Sequence, residues 1–273
     1  MSEAVAHLDG EDGTRLAYRR FGDGPCVLTC LHSLALDGSW FAPLAAAMGE
    51  GYTCLCPDFR GHGASEYGPS RISLARIAAD VLALWDRLGI RGGALVGVSL
   101  GGMVAKAVLS AAPARVDALA LLATTHAYDD AATVGAHTRA AAARAAGGMA
   151  LLEAATLERW FGDAAGDNDD WTVTRARAQF LAADGEVHAD YLEAMTEVGS
   201  LLPPRKPPPT LVLGATDDRS TPPPVLESLA ASIPGSRLRF IRGGHLAAFH
   251  DPEAVASALA EFFDREPGSA AST

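Results

Sequence analysis

Apolar residues fall along this chain in two alternating rhythms. Short unbroken runs occur at Cys26-Val27-Leu28-Thr29-Cys30-Leu31, at Tyr52-Thr53-Cys54-Leu55-Cys56-Pro57, at Gly93-Ala94-Leu95-Val96-Gly97-Val98, at Ala118-Leu119-Ala120-Leu121-Leu122 and at Thr210-Leu211-Val212-Leu213-Gly214. Runs of this length predict buried strands, and 14–21 and Arg239-Phe240-Ile241 read as strands as well. Between them the apolar spacing opens to three and four. Leu74, Ile77, Ala78, Val81, Leu84, Trp85 and Leu88 share one helical face, with Ser73 placed to cap the helix and Gly89 to end it. Helices are also expected over 39–48, from Leu100 to Ala111, and from Asp251-Pro252-Glu253 onward. Strands alternating with helices predict an α/β fold, a mostly parallel central sheet flanked by helices.

After Thr125 the rhythm changes. Residues 126–203 carry helical spacing and no convincing strand, and Pro203-Pro204-Arg205-Lys206-Pro207-Pro208-Pro209 then makes a stiff, extended return path. The expected organisation is a first core part over 1–125, an inserted helical cap over 126–203, and a second core part over 204–265. The small, polar residues 266–273 are expected to form a disordered tail.

Composition narrows the function. The 273 residues, 49% hydrophobic, can bury one large core. No run approaches a membrane span, and the start Met1-Ser2-Glu3-Ala4-Val5 lacks a basic, then apolar leader, so a cytoplasmic location is expected. A net charge of −11 argues against nucleic acid or an anionic membrane as partner. Cys26, Cys30, Cys54 and Cys56 lie in strand-like runs without a C-x-x-C knuckle, and read as free, core-filling thiols rather than metal ligands.

The chemistry centres on Gly97-Val98-Ser99-Leu100-Gly101, a G-x-S-x-G between a strand and a helix. Such a sharp turn exposes the serine hydroxyl as a nucleophile, and side chains at the glycines would collide with the neighbouring strand or helix. A nucleophilic serine needs a base, and His245 follows the last strand on a short loop, with His250 its rival. It also needs a carboxylate to orient that base. Asp217 and Asp218 both lie on the loop leaving the 210–214 strand, and Asp217 is preferred. The order Ser99, Asp217, His245 is the order that belongs with this elbow. Oxyanion donors are expected from the backbone N–H groups of Leu100 and of Leu34, with Ser33 the second choice in that loop. His32 reads as a brace for the loop. The stretch Asp58-Phe59-Arg60-Gly61-His62-Gly63-Ala64-Ser65 reads as scaffolding.

Together these residues resemble the α/β-hydrolase superfamily, through His32-Ser33-Leu34, the 58–65 stretch, the Gly97–Gly102 elbow, Gly214-x-x-Asp217 and Gly244-His245. Within it the chain is most similar to 3-oxoadipate enol-lactonases, which open an enol-lactone in aromatic catabolism. That likeness rests on Ser33-Leu34, on the elbow through Met103-Val104, and on Gly148-Met149-Ala150 followed by Leu157-Glu158-Arg159-Trp160-Phe161. Ala35 and His32 depart from it, standing where those lactonases commonly have glycine and asparagine. The resemblance implies a serine esterase or lactonase with a Ser-His-Asp triad, no metal or organic cofactor, and a small-molecule ester or lactone as partner. Self-association into a homo-oligomer is left open.

The lactone of that family carries a carboxylate, whereas 126–203 holds five arginines against thirteen acidic residues, a balance of −8. A specific arginine must therefore face the pocket, and Arg159 is the candidate. Ser33, Trp160 and Phe161 are further expected substrate-binding residues. Other chemistries run on similar scaffolds: cofactor-free haloperoxidase or perhydrolase activity, carbon–carbon bond hydrolysis and methyl-ester cleavage. A hydrolase-derived ligand receptor is the distant alternative. Haloalkane dehalogenation is disfavoured, because it uses an aspartate where this chain has Ser99.

Overall fold

A computed structural model describes residues 4–201 and 203–264. Its centre is an eight-stranded sheet formed by β1 (Val5–Asp9), β2 (Arg15–Phe21), β3 (Cys26–Leu31), β4 (Tyr52–Pro57), β5 (Gly93–Val98), β6 (Val116–Leu122), β7 (Thr210–Ala215) and β8 (Arg237–Ile241). The spatial order is β1-β2-β4-β3-β5-β6-β7-β8. β1 and β2 pair antiparallel, β2 pairs antiparallel with β4, and every later pairing is parallel.

The helices are α1 (Ala42–Met48), α2 (Leu74–Arg87), α3 (Leu100–Ala111), α4 (Asp130–Arg144), α5 (Gly148–Phe161), α6 (Trp171–Ala182), α7 (Gly185–Met195), α8 (Pro223–Ala231), α9 (Ala247–His250) and α10 (Pro252–Asp264). Helix α2 shows how the sequence makes them. Six of its seven periodic apolar residues are buried, the Ser73 hydroxyl accepts the Arg76 N–H at 3.1 Å, and Gly89 turns the chain away at φ 70°. Strand β5 is buried along its whole length, as its position in the middle of the sheet requires. Of the four thiols, Cys30, Cys54 and Cys56 are buried among the core residues, while Cys26 is half-buried.

β3 leads through α1 to β4 on one side of the sheet, and β5 leads through α3 to β6 on the other. Between the C-terminal ends of β3 and β5 the connections therefore diverge and leave a crevice, the position where open α/β sheets place ligands. Helices α4 to α7 all lie between β6 and β7, with two short 3-10 turns among them. Several contacts tie them to the core. Trp40 Nε1 donates to Gln179 Oε1 at 2.6 Å, Arg175 donates to Ser39 Oγ at 2.6 Å, and Tyr191 Oη donates to the Arg60 carbonyl at 2.9 Å. The expected disordered tail, 266–273, lies outside the described residues. No helix among the described residues is long and apolar enough to cross a membrane.

Candidate active site

Ser99 stands between β5 and α3 with φ 54° and ψ −114°, a conformation side-chain-bearing residues rarely adopt. The flanking glycines make it attainable. A Cβ on Gly97 would lie 2.3 Å from the Gly101 carbonyl oxygen, and one on Gly101 would lie 2.0 Å from the Leu31 oxygen. Helix and strand thus approach at backbone distance only because neither glycine carries a side chain. Thr124 Oγ1 donates to the Ser99 carbonyl at 2.7 Å and secures the turn from the far side.

His245, on the loop after β8, places Nε2 2.9 Å from Ser99 Oγ. Its Nδ1 lies 2.9 and 3.1 Å from the two carboxylate oxygens of Asp218. All three residues are buried. The carboxylate that meets His245 is therefore that of Asp218, not that of the Asp217 that the sequence favours. Asp217 is exposed, and among the described residues its carboxylate accepts only from the neighbouring Thr216 hydroxyl. The reason is local: β7 runs one residue beyond the expected Gly214, to Ala215, and the acid-bearing position moves on with it. The Asp218 carboxylate also accepts the N–H groups of Ser220 and Thr221, at 2.7 and 2.8 Å, and the Thr221 hydroxyl at 2.6 Å. Burial alone would raise its pKa. The charge and hydrogen bond of His245, with the Thr221 bonds, outweigh burial and hold it below the ordinary carboxylate value. His250 is no rival here, for its Nε2 is bound to Asp170 at 2.7 Å.

The loop after β3 is held by two histidines. His32 Nδ1 donates to the Ser33 carbonyl at 2.8 Å, and its Nε2 accepts the Phe59 N–H at 2.9 Å. His62 Nδ1 donates to the Arg60 carbonyl at 3.1 Å, and its Nε2 accepts the Ala35 N–H at 3.2 Å. Each ring is thus a neutral tautomer with both nitrogens engaged. Burial pushes their pKa values down to about 4 for His32 and about 3 for His62. Ala35, fixed in this way, has φ 63°. Among the described residues, no hydrogen bond has the Leu34 N–H as its donor, and Leu34 lines the cavity beside Ser99. The Leu100 N–H belongs to the first turn of α3, where intrahelical acceptors are lacking. The 58–65 stretch supports this loop from below. The Asp58 carboxylate receives Arg19 and the N–H groups of Gly38 and Ala64, while the fully buried Arg60 is paired with Asp12 and Asp80.

Ser99 and His245 open into a cavity of about 380 Å³. Ser33, Leu34, Arg159 and Trp160 line it, so these expected residues are brought together. Phe161 is not among its lining residues; it faces a separate hollow and stacks edge-on with His250. Among the lining residues that the sequence did not single out are Arg139 of α4 and His188 of α7. Arg159 donates to Thr156 Oγ1 at 2.9 Å, and neither it nor Arg139 has a carboxylate partner among the described residues. Burial lowers the Arg159 pKa, and the neighbouring Arg139 charge lowers it further. His188 is buried with an unpartnered Nδ1, and burial holds it neutral, its pKa lowered to about 3.

The model of the alpha/beta hydrolase fold family matches residues 27–252. The chain belongs to this family. A candidate non-heme bromoperoxidase of Mycobacterium tuberculosis, BpoC, is 29% identical over 91% of this chain and 97% of its own. A 3-oxoadipate enol-lactonase of Acinetobacter baylyi is 27% identical over 89% of this chain and 91% of its own. Among solved structures, the enol-lactonase of Burkholderia xenovorans superposes with a TM-score of 0.84 at 27% identity, covering 95% of this α/β hydrolase and all of the other chain.

Proposed function

We propose that this α/β hydrolase is a serine hydrolase of a small carboxylic ester or lactone whose substrate also carries a carboxylate, as 3-oxoadipate enol-lactone does. The observation that carries the reading is the hydrogen-bonded chain from Ser99 Oγ through His245 to Asp218. His245 Nε2 takes the proton as Ser99 Oγ attacks the carbonyl carbon, and Asp218 holds the tautomer and stabilises the imidazolium. The oxyanion forms toward the N–H groups of Leu34 and Leu100, each worth about 3–4 kcal/mol in such reactions. The C–O bond then breaks, and His245 returns the proton to the leaving oxygen. Water, activated by His245, releases the acyl group from Ser99. Arg139 and Arg159 support an anionic substrate: among the described residues neither guanidinium is paired with a carboxylate, and the two outnumber the one carboxylate that lines the cavity, that of Asp129. The helices over 126–203 act in this reading as a cap that selects the substrate.

The test compares muconolactone-derived enol-lactone, short p-nitrophenyl esters and aliphatic lactones, with fluorophosphonate labelling of Ser99. Labelling and turnover should both vanish in Ser99→Ala, and full turnover in that variant would refute the serine hydrolase. The likeness to BpoC favours one second reading, in which hydrogen peroxide replaces water on the acyl-enzyme and a peracid leaves. Peracid formation from acetate and peroxide at rates above ester hydrolysis would decide for it.

A further inference from the structure

A second cavity of about 200 Å³ lies at the seam between the core and the return path from the helical insertion. It shares no lining residue with the cavity at Ser99. Leu109, Leu119, Leu201 and Ile233 give it an apolar wall, and Lys106 and His126 bring polar atoms to it. Lys106 sits on α3, about two turns from Ser99. Among the described residues its ammonium has a single hydrogen bond, to the His126 carbonyl at 3.4 Å, near the limit of such a bond. No carboxylate lines the cavity, and among the described residues Lys106 forms no ion pair. With acidic residues in such excess, an uncompensated, half-buried ammonium is unexpected, and taking a charge out of water is costly unless it is paired. Burial alone lowers the Lys106 pKa, to about 8, so the cation still predominates at neutral pH. The His126 ring has a buried Nδ1 without a partner among the described residues, so no bond at that atom holds the ring against an incoming ligand.

We propose that this cavity binds a small monocarboxylate with an apolar tail, the carboxylate on the Lys106 ammonium and the tail among Leu109, Leu119, Leu201 and Ile233. The ammonium supplies the counter-charge and the wall takes up the hydrocarbon, which neither a dianion nor a sugar would satisfy. The assignment does not depend on the chemistry at Ser99.

Calorimetric titration of the full chain with butyrate, pentanoate and hexanoate tests it. Affinity should rise about fourfold per methylene, the factor expected from about 0.8 kcal/mol for each buried CH₂. Lys106→Met keeps the apolar stem and removes the charge. It should weaken hexanoate binding at least tenfold while leaving hexanol binding and p-nitrophenyl acetate turnover unchanged. Lys106→Arg should retain the binding, which guards against a variant that merely misfolds. Arg159→Met separates this cavity from the other cationic one and should leave hexanoate binding intact. The proposal fails if hexanoate does not bind at millimolar concentration, if Lys106→Met binds it as the unsubstituted protein does, or if Arg159→Met removes the binding instead.

Discussion

Asp217 and Asp218 are neighbours in sequence with opposite surroundings, one exposed and one buried against His245 and Thr221. Asp218→Asn should lower kcat for ester hydrolysis by about 10⁴, because the amide favours the wrong imidazole tautomer. Asp217→Asn should leave kcat close to that of the unsubstituted protein, and steady-state kinetics on one p-nitrophenyl ester reads both. The sequence leads to this loop but not to the residue, because a loop has no period that fixes which side chain turns inward. On a helix the same limit takes another form. Trp160 and Phe161 differ by one position, about 100° around α5; both border the hollow beside His250, but only Trp160 also reaches the cavity at Ser99. Arg139 was hidden because the buried face of α4 is made of Ala136, Ala140 and Ala143, too little contrast to tell inside from outside. Arg159→Met should raise KM about 10- to 100-fold for an ester bearing a free carboxylate, the worth of one charged hydrogen bond. The matching neutral ester should keep its KM.

The loop between β3 and α1 depends on imidazoles contributed both by itself and by the stretch after β4. His62→Leu removes the acceptor of the Ala35 N–H. It should reduce kcat at least tenfold by loosening the Leu34 donor, with KM nearly unchanged; an unaltered kcat would show that Ala35 holds its φ without help. Most elements were legible because apolar runs and apolar periodicity differ so clearly in this core. The exceptions are elements with little to bury. β1 has only Leu8 buried and so shows no run, and α8 opens on Pro223-Pro224 and buries only Leu226 and Leu229. At the elbow, sequence and structure agree because the requirement is steric, a matter of whether a Cβ fits at Gly97 and Gly101.

Across the whole molecule, His32, His62 and His188 are all buried and neutral, with pKa values of about 4, 3 and 3. An unfolded chain binds protons at these positions below about pH 6.5, whereas the folded chain binds them only near pH 3 to 4. Their stabilisation is thus fully present above pH 6.5 and declines as the pH falls toward 4. Thermal melts between pH 7 and 5.5, above the range where ordinary carboxylates titrate, should show Tm falling with pH, with a shallower slope in His188→Phe. The placement of side chains around the larger cavity has a consequence for descent. Ser99, Asp218, His245 and Leu34 stand on loops of the sheet, while Arg139, Thr156, Arg159, Trp160 and His188 all come from one uninterrupted stretch of chain. In the proposed reading, bond-breaking and discrimination are therefore encoded in separable pieces of the gene. A chimera that takes its 126–203 stretch from another family member should still be labelled at Ser99 by a fluorophosphonate while changing which ester it turns over. Such a protein can acquire a new diet without relearning its reaction.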